Sequence, residues 1–264
     1  MSFKKKVVYV GLSADILHEG HINILKIAYK LGDVIVGLLT DKAIISFKKL
    51  PHLNFRQREI VLRNIKYVKK VVAQSTLDYR INLNNIKPDY VIHGDDWKYG
   101  VQKKTRAQVL NCIKKWGGKL IEPKYTKNIS STLIRKEFLK LGTSPDSRKS
   151  KLKRLLDAKN VVRILESHSP ITGLIIENLS LNKKDNFFEF DGMWSSSLTD
   201  STLRGKPDNQ SVDYSTRISG LNEILDVTTK PVIFDADNGG RIEHLPFIVK
   251  SLERIGASAI VIED

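Results

Sequence analysis

Cysteine is nearly absent: Cys112 is the single one in 264 residues. No internal disulfide can staple the fold, and a reducing, cytoplasmic setting suits the chain. No run of about 18 apolar residues occurs, so the sequence carries no sign of a membrane span. The basic start Met1-Ser2-Phe3-Lys4-Lys5-Lys6 passes straight into an apolar run, without the core and cleavage site of a secretory signal. Acidic residues are scarce in one half only. Residues 1–150 hold 30 Lys+Arg against 12 Asp+Glu, while residues 151–264 hold 14 against 17, so the formal net charge of +15 belongs wholly to the first half. A basic field attracts polyanions, either a nucleoside triphosphate or nucleic acid. A lysine-, asparagine- and isoleucine-rich composition is equally consistent with solvated surface lysines. Neither a nucleic-acid motif nor aromatics interleaved with basic clusters is found, which makes a nucleotide- or nucleic-acid-binding module the weaker alternative.

The length exceeds a typical domain of about 100 to 150 residues, and the patterning divides accordingly. Apolar runs at 7–10, 34–39, 71–73, 90–93 and 119–121 read as strands. They alternate with helix-like stretches at 20–31, 56–66, 76–85 and 105–116, the order of a parallel α/β sheet. A helix is expected from Ser131 to about Leu141. The polar stretch 142–150, with Gly142 and Pro145, reads as a linker. Beyond it a helix over 147–157 precedes strand-like segments at 161–166, 191–194, 232–234 and 259–262, with a helix near 242–255. The division is therefore 1–141, a linker at 142–150, and 151–264. The closing run Ala259-Ile260-Val261-Ile262-Glu263-Asp264 reads as a parallel-type strand whose crossover is missing, so a partial sequence is expected.

Three polar clusters fall at the carboxyl ends of expected strands, where open parallel sheets bind ligands. They are Ser13-Ala14-Asp15 with His18-Glu19-Gly20-His21, then His93-Gly94-Asp95-Asp96-Trp97, then Asn128-Ile129-Ser130-Ser131-Thr132-Leu133-Ile134-Arg135. Helix starts rich in hydroxyls and free N–H groups receive anions. Nucleotidyl transfer asks for little more than positioned donors and cations around phosphate oxygens. Other roles stay open for single residues: Asp95-Asp96 as a surface turn, Trp97 as core, and Lys48-Lys49 as a phosphate clamp or as solvated lysines.

Together, Asp15-x-x-His18-x-Gly20-His21, Gly94-Asp95-Asp96-Trp97 and Ile129-Ser130-Ser131-Thr132-x-Ile134-Arg135 resemble the cytidylyltransferases over about residues 5–140. The resemblance implies a Rossmann-like nucleotidyltransferase domain that takes CTP, or another nucleoside triphosphate, with Mg²⁺. It implies that His18 and His21 hold the triphosphate and stabilise the in-line transition state, with Ser130, Ser131 and Thr132 at the β and γ phosphates. Ser13, Asp15, Gly20, Arg58, Asp95 and Trp97 would complete the nucleotide site, and the acceptor would be a phosphonate or a phospho-alcohol. The alternative within the enzyme class is a domain that transfers an adenylyl group, or one that acts on a plain phospho-alcohol such as glycerol-3-phosphate or phosphocholine. The chain departs from the pattern at Leu12, where a glycine is usual, with Gly11 one place earlier. It departs again at Tyr125-Thr126-Lys127-Asn128, where an arginine is replaced, so that Lys124 or Lys127 would compensate, and at Lys66, where lysine lacks the guanidinium fork.

The second half gathers acidic groups at strand ends: Asp235-Ala236-Asp237 after one apolar run and Glu263-Asp264 after the next. Oxygen ligands so placed suit a hard divalent cation. The turn Trp194-Ser195-Ser196-Ser197-Leu198-Thr199 offers hydroxyls and N–H groups to a carboxylate or phosphate. With Asp208 in the loop 205–211, this set is similar to the phosphoenolpyruvate mutase branch of the isocitrate lyase superfamily, whose fold is a (β/α)8 barrel. The resemblance implies that the chain holds the first half of such a barrel and that the mutase reaction, phosphoenolpyruvate to phosphonopyruvate, is incomplete here. Trp194, Ser196, Ser197 and Leu198 would bind substrate, Asp235, Asp237 and Glu263 would organise Mg²⁺, and Asp208 would act beside the phosphoryl group. The fusion suggests phosphonate biosynthesis, and both families suggest a homo-oligomer.

Overall fold

The computed structural model describes residues 5–99, 102–124, 126, 134, 142–183 and 186–263. The chain divides into two compact units, Met1–Arg135 with Lys183–Phe187, and Lys136–Asn182 with Phe188–Asp264.

In the first unit, β1 (Val7–Leu12), β2 (Asp33–Leu39), β3 (Lys70–Gln74), β4 (Tyr90–Ile92) and β5 (Lys119–Ile121) form one sheet ordered β3-β2-β1-β4-β5. Every neighbouring pair is parallel. The chain thus winds one way from β1 to β3 and then returns beyond β1 to place β4, which leaves a crevice at the carboxyl ends of β1 and β4. Side chains alternate across a strand, and β1 shows the result. Val8, Val10 and Leu12 face the helices α1 (Glu19–Leu31) and α3 (Phe55–Arg63), in a core with Leu25, Ala28 and Leu62. Tyr9 points the other way, into a core with Leu83 of α4 (Arg80–Ile86) and Val109 and Ile113 of α5 (Lys103–Ile113). A sheet covered on both faces explains why its strands read as continuous apolar runs. Thr40 caps the short helix α2 (Asp41–Ile45), and Asn54 with Gln57 forms a reciprocal capping box on α3.

In the second unit, β6 (Ile164–Glu166), β9 (Gly192–Ser195), β10 (Val232–Asp235) and β11 (Ala259–Val261) lie side by side in chain order, all parallel. A sequential order with helices between strands is the winding of a (β/α) barrel wall and differs from the reversing order of the first unit. The intervening β7 (Ser180–Lys183) and β8 (Asn186–Glu189) make a separate two-stranded ladder. Helices Pro170–Asn178, Tyr214–Val227 and Leu245–Ile255 accompany the wall, with Ile176, Leu221, Ile224 and Leu252 packed around Met193 and Phe234.

The stretch expected as a linker is partly helical. Ser144 caps a helix over Pro145–Ala158, with proline in the first turn where its missing N–H costs nothing. That helix is fixed by Arg148, whose guanidinium donates to the carbonyls of Leu225, Thr228 and Lys230 and to the Thr228 hydroxyl. Burial pushes the Arg148 guanidinium down to about 10. Glu177 accepts from the N–H groups of Thr229 and Lys230 at the same end of the wall. These buried polar groups sit before β10, at the amino ends of the strands, where such a fold keeps its stabilising contacts.

Candidate functional site

At the carboxyl ends of β1 and β4 lies a cavity of about 260 Å³, whose lining includes Ser13, His18, His21, Lys48, His93 and Lys124. His18 is the N-cap of α1. Its Nδ1 accepts from the Gly20 N–H at 3.2 Å, while Nδ1 of His21 accepts from the His18 N–H at 3.3 Å. The two rings lie 4.0 Å apart. Two imidazoles therefore perform the reciprocal capping usually done by a serine and a glutamate. Each Nδ1 is held as an acceptor, so each neutral ring carries its proton on Nε2. Burial lowers the pKa of His18, and that of His21 falls to about 3 through burial first and then the charges of His18 and Lys48. Both rings are neutral Nε2–H donors at pH 7, set at the positive end of a 13-residue helix.

Gly11 shapes the floor of the cavity. A Cβ there would stand 2.2 Å from the hydroxyl of Tyr79, which is itself a lining residue. The glycine displaced by one position relative to the usual pattern is thus explained by the ring that lies over it.

Four of the expected nucleotide-site residues line the cavity or act within it: Ser13, His18, Gly20 and His21. Four others are not among its lining residues. Asp15 is buried, and its carboxylate accepts from the N–H groups of His52 and Leu53. Arg58 is fully buried; it donates to the carbonyls of Ser13 at 2.6 Å, Leu39 at 2.8 Å and Leu53 at 3.1 Å, and to Asp41 at 2.6 Å. The expectation of Arg58 at the nucleotide is corrected by this geometry, because its donors are committed to the segments that follow β1 and β2. Trp97 belongs to the core, with its Nε1 donating to Glu122 at 2.7 Å, and Arg106 holds the Glu122 carboxyl down to about 2. Asp95 opens the 3-10 turn Asp95–Lys98, and its neighbour Asp96 is the residue that reaches the cavity. Ser130, Ser131 and Thr132 lie outside the described residues. The cavity also takes in His93, Asn23, Gln102 and Thr126. His93 was signalled by its place at the end of β4; the others follow no local pattern and meet only through the fold.

In the second unit, the expected turn is closed upon itself. The N–H and Oγ of Ser197 donate to Asp235 Oδ2 at 3.2 and 3.0 Å, and the Asp237 N–H donates to Asp235 Oδ1. Arg217, buried against the Phe234 ring, bridges Asp200, Asp237 and the Ser195 carbonyl. Burial raises the pKa of Asp237. Asp208 is drawn to the same place, with its carboxylate oxygens 3.4 Å from Ser197 Oγ and 3.5 Å from Ser201 Oγ. Ser196 caps the helix Ser197–Thr202, Leu198 is exposed on its first turn, and Trp194 pairs with Glu166 and Ile233 within the wall. The expectation that Ser197 presents free donors is corrected: its donors are taken by Asp235. The expected metal set is not assembled either. Among the described residues no three His, Cys, Asp or Glu side chains converge as a metal-holding group. Both oxygens of Asp235 are already acceptors, and Glu263 meets Asp237 through its backbone N–H.

A reversing parallel sheet with paired imidazoles at a helix start over its switch point defines a nucleotide-binding α/β domain with equipment for phosphate chemistry. Residues 9–137 match the family model described as cytidylyltransferase-like, and residues 152–264 match the one described as phosphoenolpyruvate phosphomutase. The chain is 30% identical over 139 residues to glycerol-3-phosphate cytidylyltransferase of Bacillus spizizenii, covering 52% of this chain and 99% of that relative. It is 27% identical over 127 residues to phosphoenolpyruvate phosphomutase of Tetrahymena pyriformis, covering 48% of this chain and 39% of that one. A solved phosphoenolpyruvate phosphomutase from Streptomyces platensis subsp. rosaceus is 29% identical, with a TM-score of 0.39, covering 44% of this chain and 38% of that structure. The match thus spans about two fifths of each mutase. The chain belongs to the cytidylyltransferase-like family and is a nucleotidyltransferase that carries a mutase-like second domain. Among the described residues no helix is long and apolar enough to cross a membrane.

Proposed function

We propose that the first unit transfers a cytidylyl group from CTP to a phosphonate or phospho-alcohol, and that the protein serves phosphonate biosynthesis. The reading rests on one observation: the Nε2–H edges of His18 and His21, neutral and fixed, at the N-terminus of α1 in a cavity that also holds Lys48 and Lys124. An acceptor oxygen attacks the α-phosphorus in line, a new P–O bond forms, and the bond to the departing pyrophosphate breaks. Charge accumulates on the phosphate oxygens, where neutral N–H donors and lysine ammonium groups stabilise it. Asp15 and Arg58 act as positioning residues, tying the Leu53 backbone to the segment after β1. Ser130, Ser131 and Thr132 are assigned to the β and γ phosphates by their motif. The link to phosphonates comes from the second domain, whose family converts phosphoenolpyruvate to phosphonopyruvate. The pattern of the sequence supports a division between the two functions at the 142–150 segment.

The test is pyrophosphate release by the whole chain with CTP and Mg²⁺ against a panel of phosphonates and phospho-alcohols, with ATP in parallel. Release that requires CTP and a phosphonate supports the reading. Release with ATP alone moves it to adenylyl transfer, and no release with any pair overturns it.

A further inference from the structure

Two stretches of chain contribute to the lining of the cavity in the first unit: His93, Gly94 and Asp96 after β4, and Pro123, Lys124 and Thr126 after β5. Main-chain bonds lace them together, from the His93 N–H to the Ile121 carbonyl at 3.3 Å and from the Asp95 N–H to the Pro123 carbonyl at 3.1 Å. Glu122 falls between these two bonds and is not itself a lining residue. Alternation past the end of β5 sends its side chain to the same face as Leu120, which packs with Trp97, Val109 and Ile113. A carboxylate on an apolar face needs donors, and Glu122 has three: Trp97 Nε1 at 2.7 Å, Arg106 Nε at 2.8 Å and Arg106 Nη2 at 2.9 Å. The Arg106 fork takes both carboxylate oxygens, a grip that fixes the orientation of the acid. Those hydrogen bonds also keep it ionised, with its pKa held down to about 2. Trp97 carries this order to the cavity. Its buried ring stacks on His93 at 4.0 Å with planes 6° apart, and its centroid lies 6.1 Å from that of Tyr79, the ring over Gly11. His93 and Tyr79 both line the cavity. One indole thus backs two lining rings, and one carboxylate fixes the indole. The imidazole pair is held by a different set of bonds, at the start of α1.

We propose that Glu122 is a positioning residue for the nucleotide: gripped by Arg106 and acting through Trp97, it sets the place of the His93 ring and the Gly94–Asp96 backbone, and so how well the cavity receives the nucleoside part of the substrate. The proposal rests on the nucleotidyl-transfer reading, in which His18, His21 and Lys48 receive the phosphates. It adds a residue that lies outside the three sequence motifs of the site. Because the His93 wall and the imidazole pair are supported separately, the effect is selective. Loss of the Glu122 carboxylate weakens the binding of a whole nucleotide and spares a bare pyrophosphate.

The experiment measures kcat and KM for CTP in the full chain, with the acceptor of the panel that turns over, and the affinity for inorganic pyrophosphate by calorimetry. Glu122→Gln keeps the shape and an acceptor for Trp97 but sets an amide against the Arg106 fork. It is expected to raise KM for CTP about tenfold, the size of one lost charge-assisted hydrogen bond, with kcat and pyrophosphate affinity each within about twofold of the parent. Trp97→Phe keeps an aromatic ring against His93 and removes the donor, and is expected to raise KM in the same way. Combining the two should cost little more than either alone, since both break one contact. Arg106→Met leaves the Glu122–Trp97 bond in place and is expected to give a smaller rise in KM; it supplies the measurement if Glu122→Gln does not fold. Unchanged KM in these variants overturns the positioning role. So does a fall in pyrophosphate affinity equal to the rise in KM, because a general loosening of the fold weakens every ligand alike. Fully additive effects of Glu122→Gln and Trp97→Phe overturn the route through the indole. Absence of both CTP binding and pyrophosphate release in the unmodified chain overturns the nucleotidyl-transfer reading instead.

Discussion

Replacing Arg58 by methionine separates a residue that touches nucleotide from one that holds the site together. Methionine fills a similar volume without donors, so the change removes four contacts: the carbonyls of Ser13, Leu39 and Leu53 and the carboxylate of Asp41. A buried acceptor left unpaired costs about 1 to 3 kcal/mol. Leu39 is buried and falls at the upper end, while Ser13 and Leu53 are half-buried and recover part of the cost through water. The Asp41 side chain is 20% exposed and rehydrates more easily. The total comes to about 4 kcal/mol, in the range for breaking a buried charged pair. Urea unfolding, followed by the fluorescence of Trp97 and Trp116 in a Trp194→Phe background, should then show a midpoint lowered by about 2 M for a slope near 2 kcal/mol/M. Arg58→Lys should recover little, since one ammonium cannot span four acceptors set around a planar fork. If Arg58→Met unfolds within about 0.5 kcal/mol of the parent while CTP affinity drops tenfold or more, Arg58 is a ligand contact and the positioning argument is wrong.

Three further outcomes follow from the geometry. Because the pKa of His21 is depressed to about 3, the unfolded chain takes up the proton first as pH falls. This ring's contribution to stability is full above about 6.5 and is lost between there and about 3, and its imidazole resonances should not titrate between pH 5 and 8 without ligand. A titration midpoint near 6.5 would contradict the buried, neutral ring. Gly11→Ala places a methyl against the Tyr79 hydroxyl, so it should weaken nucleotide binding at least tenfold by calorimetry, and Tyr79→Ala in the same chain should restore part of the loss. Arg148→Met leaves three carbonyls without their donor and should destabilise the second unit by about 3 to 5 kcal/mol, visible as earlier hydrogen exchange in β9 and β10. Unchanged exchange there would argue against its anchoring role.

Much of the first unit was legible because its strands are covered on both faces and so spell apolar runs, and because punctuation such as Lys87-Pro88 falls where chain direction changes. The histidine pair was legible for a similar reason: both members sit within four residues of each other at a helix start. Arg58 was not. A motif position records that an arginine is needed but not whether its fork faces a ligand or the backbone, and here three carbonyls from separate segments take it. Trp97 likewise occupies a motif position while filling the core, which is one of the readings its sequence left open. In the second unit the Tyr214–Val227 helix escaped the apolar pattern because its inward face starts with a charged residue. Arg217, Leu221, Ile224 and Leu225 do keep helical spacing behind the capping Asp213. The Ser197–Asp235 contact was beyond local reading altogether, since it joins residues 38 apart.

The reciprocal histidine cap also bears on how this protein tolerates change. Ordinarily a helix start and a reactive group are separate features, and either can be altered alone. Under the proposed function one pair of rings serves both, so an alanine at 18 or 21 would remove a proposed phosphate donor and also fray the first turn of α1, and loss of activity would not tell the two apart. Asparagine at 18 retains a good N-cap while discarding the imidazole. The same coupling puts the Nδ1 atoms that close the first turn of this helix and the N–H edges proposed for the phosphates on one pair of rings.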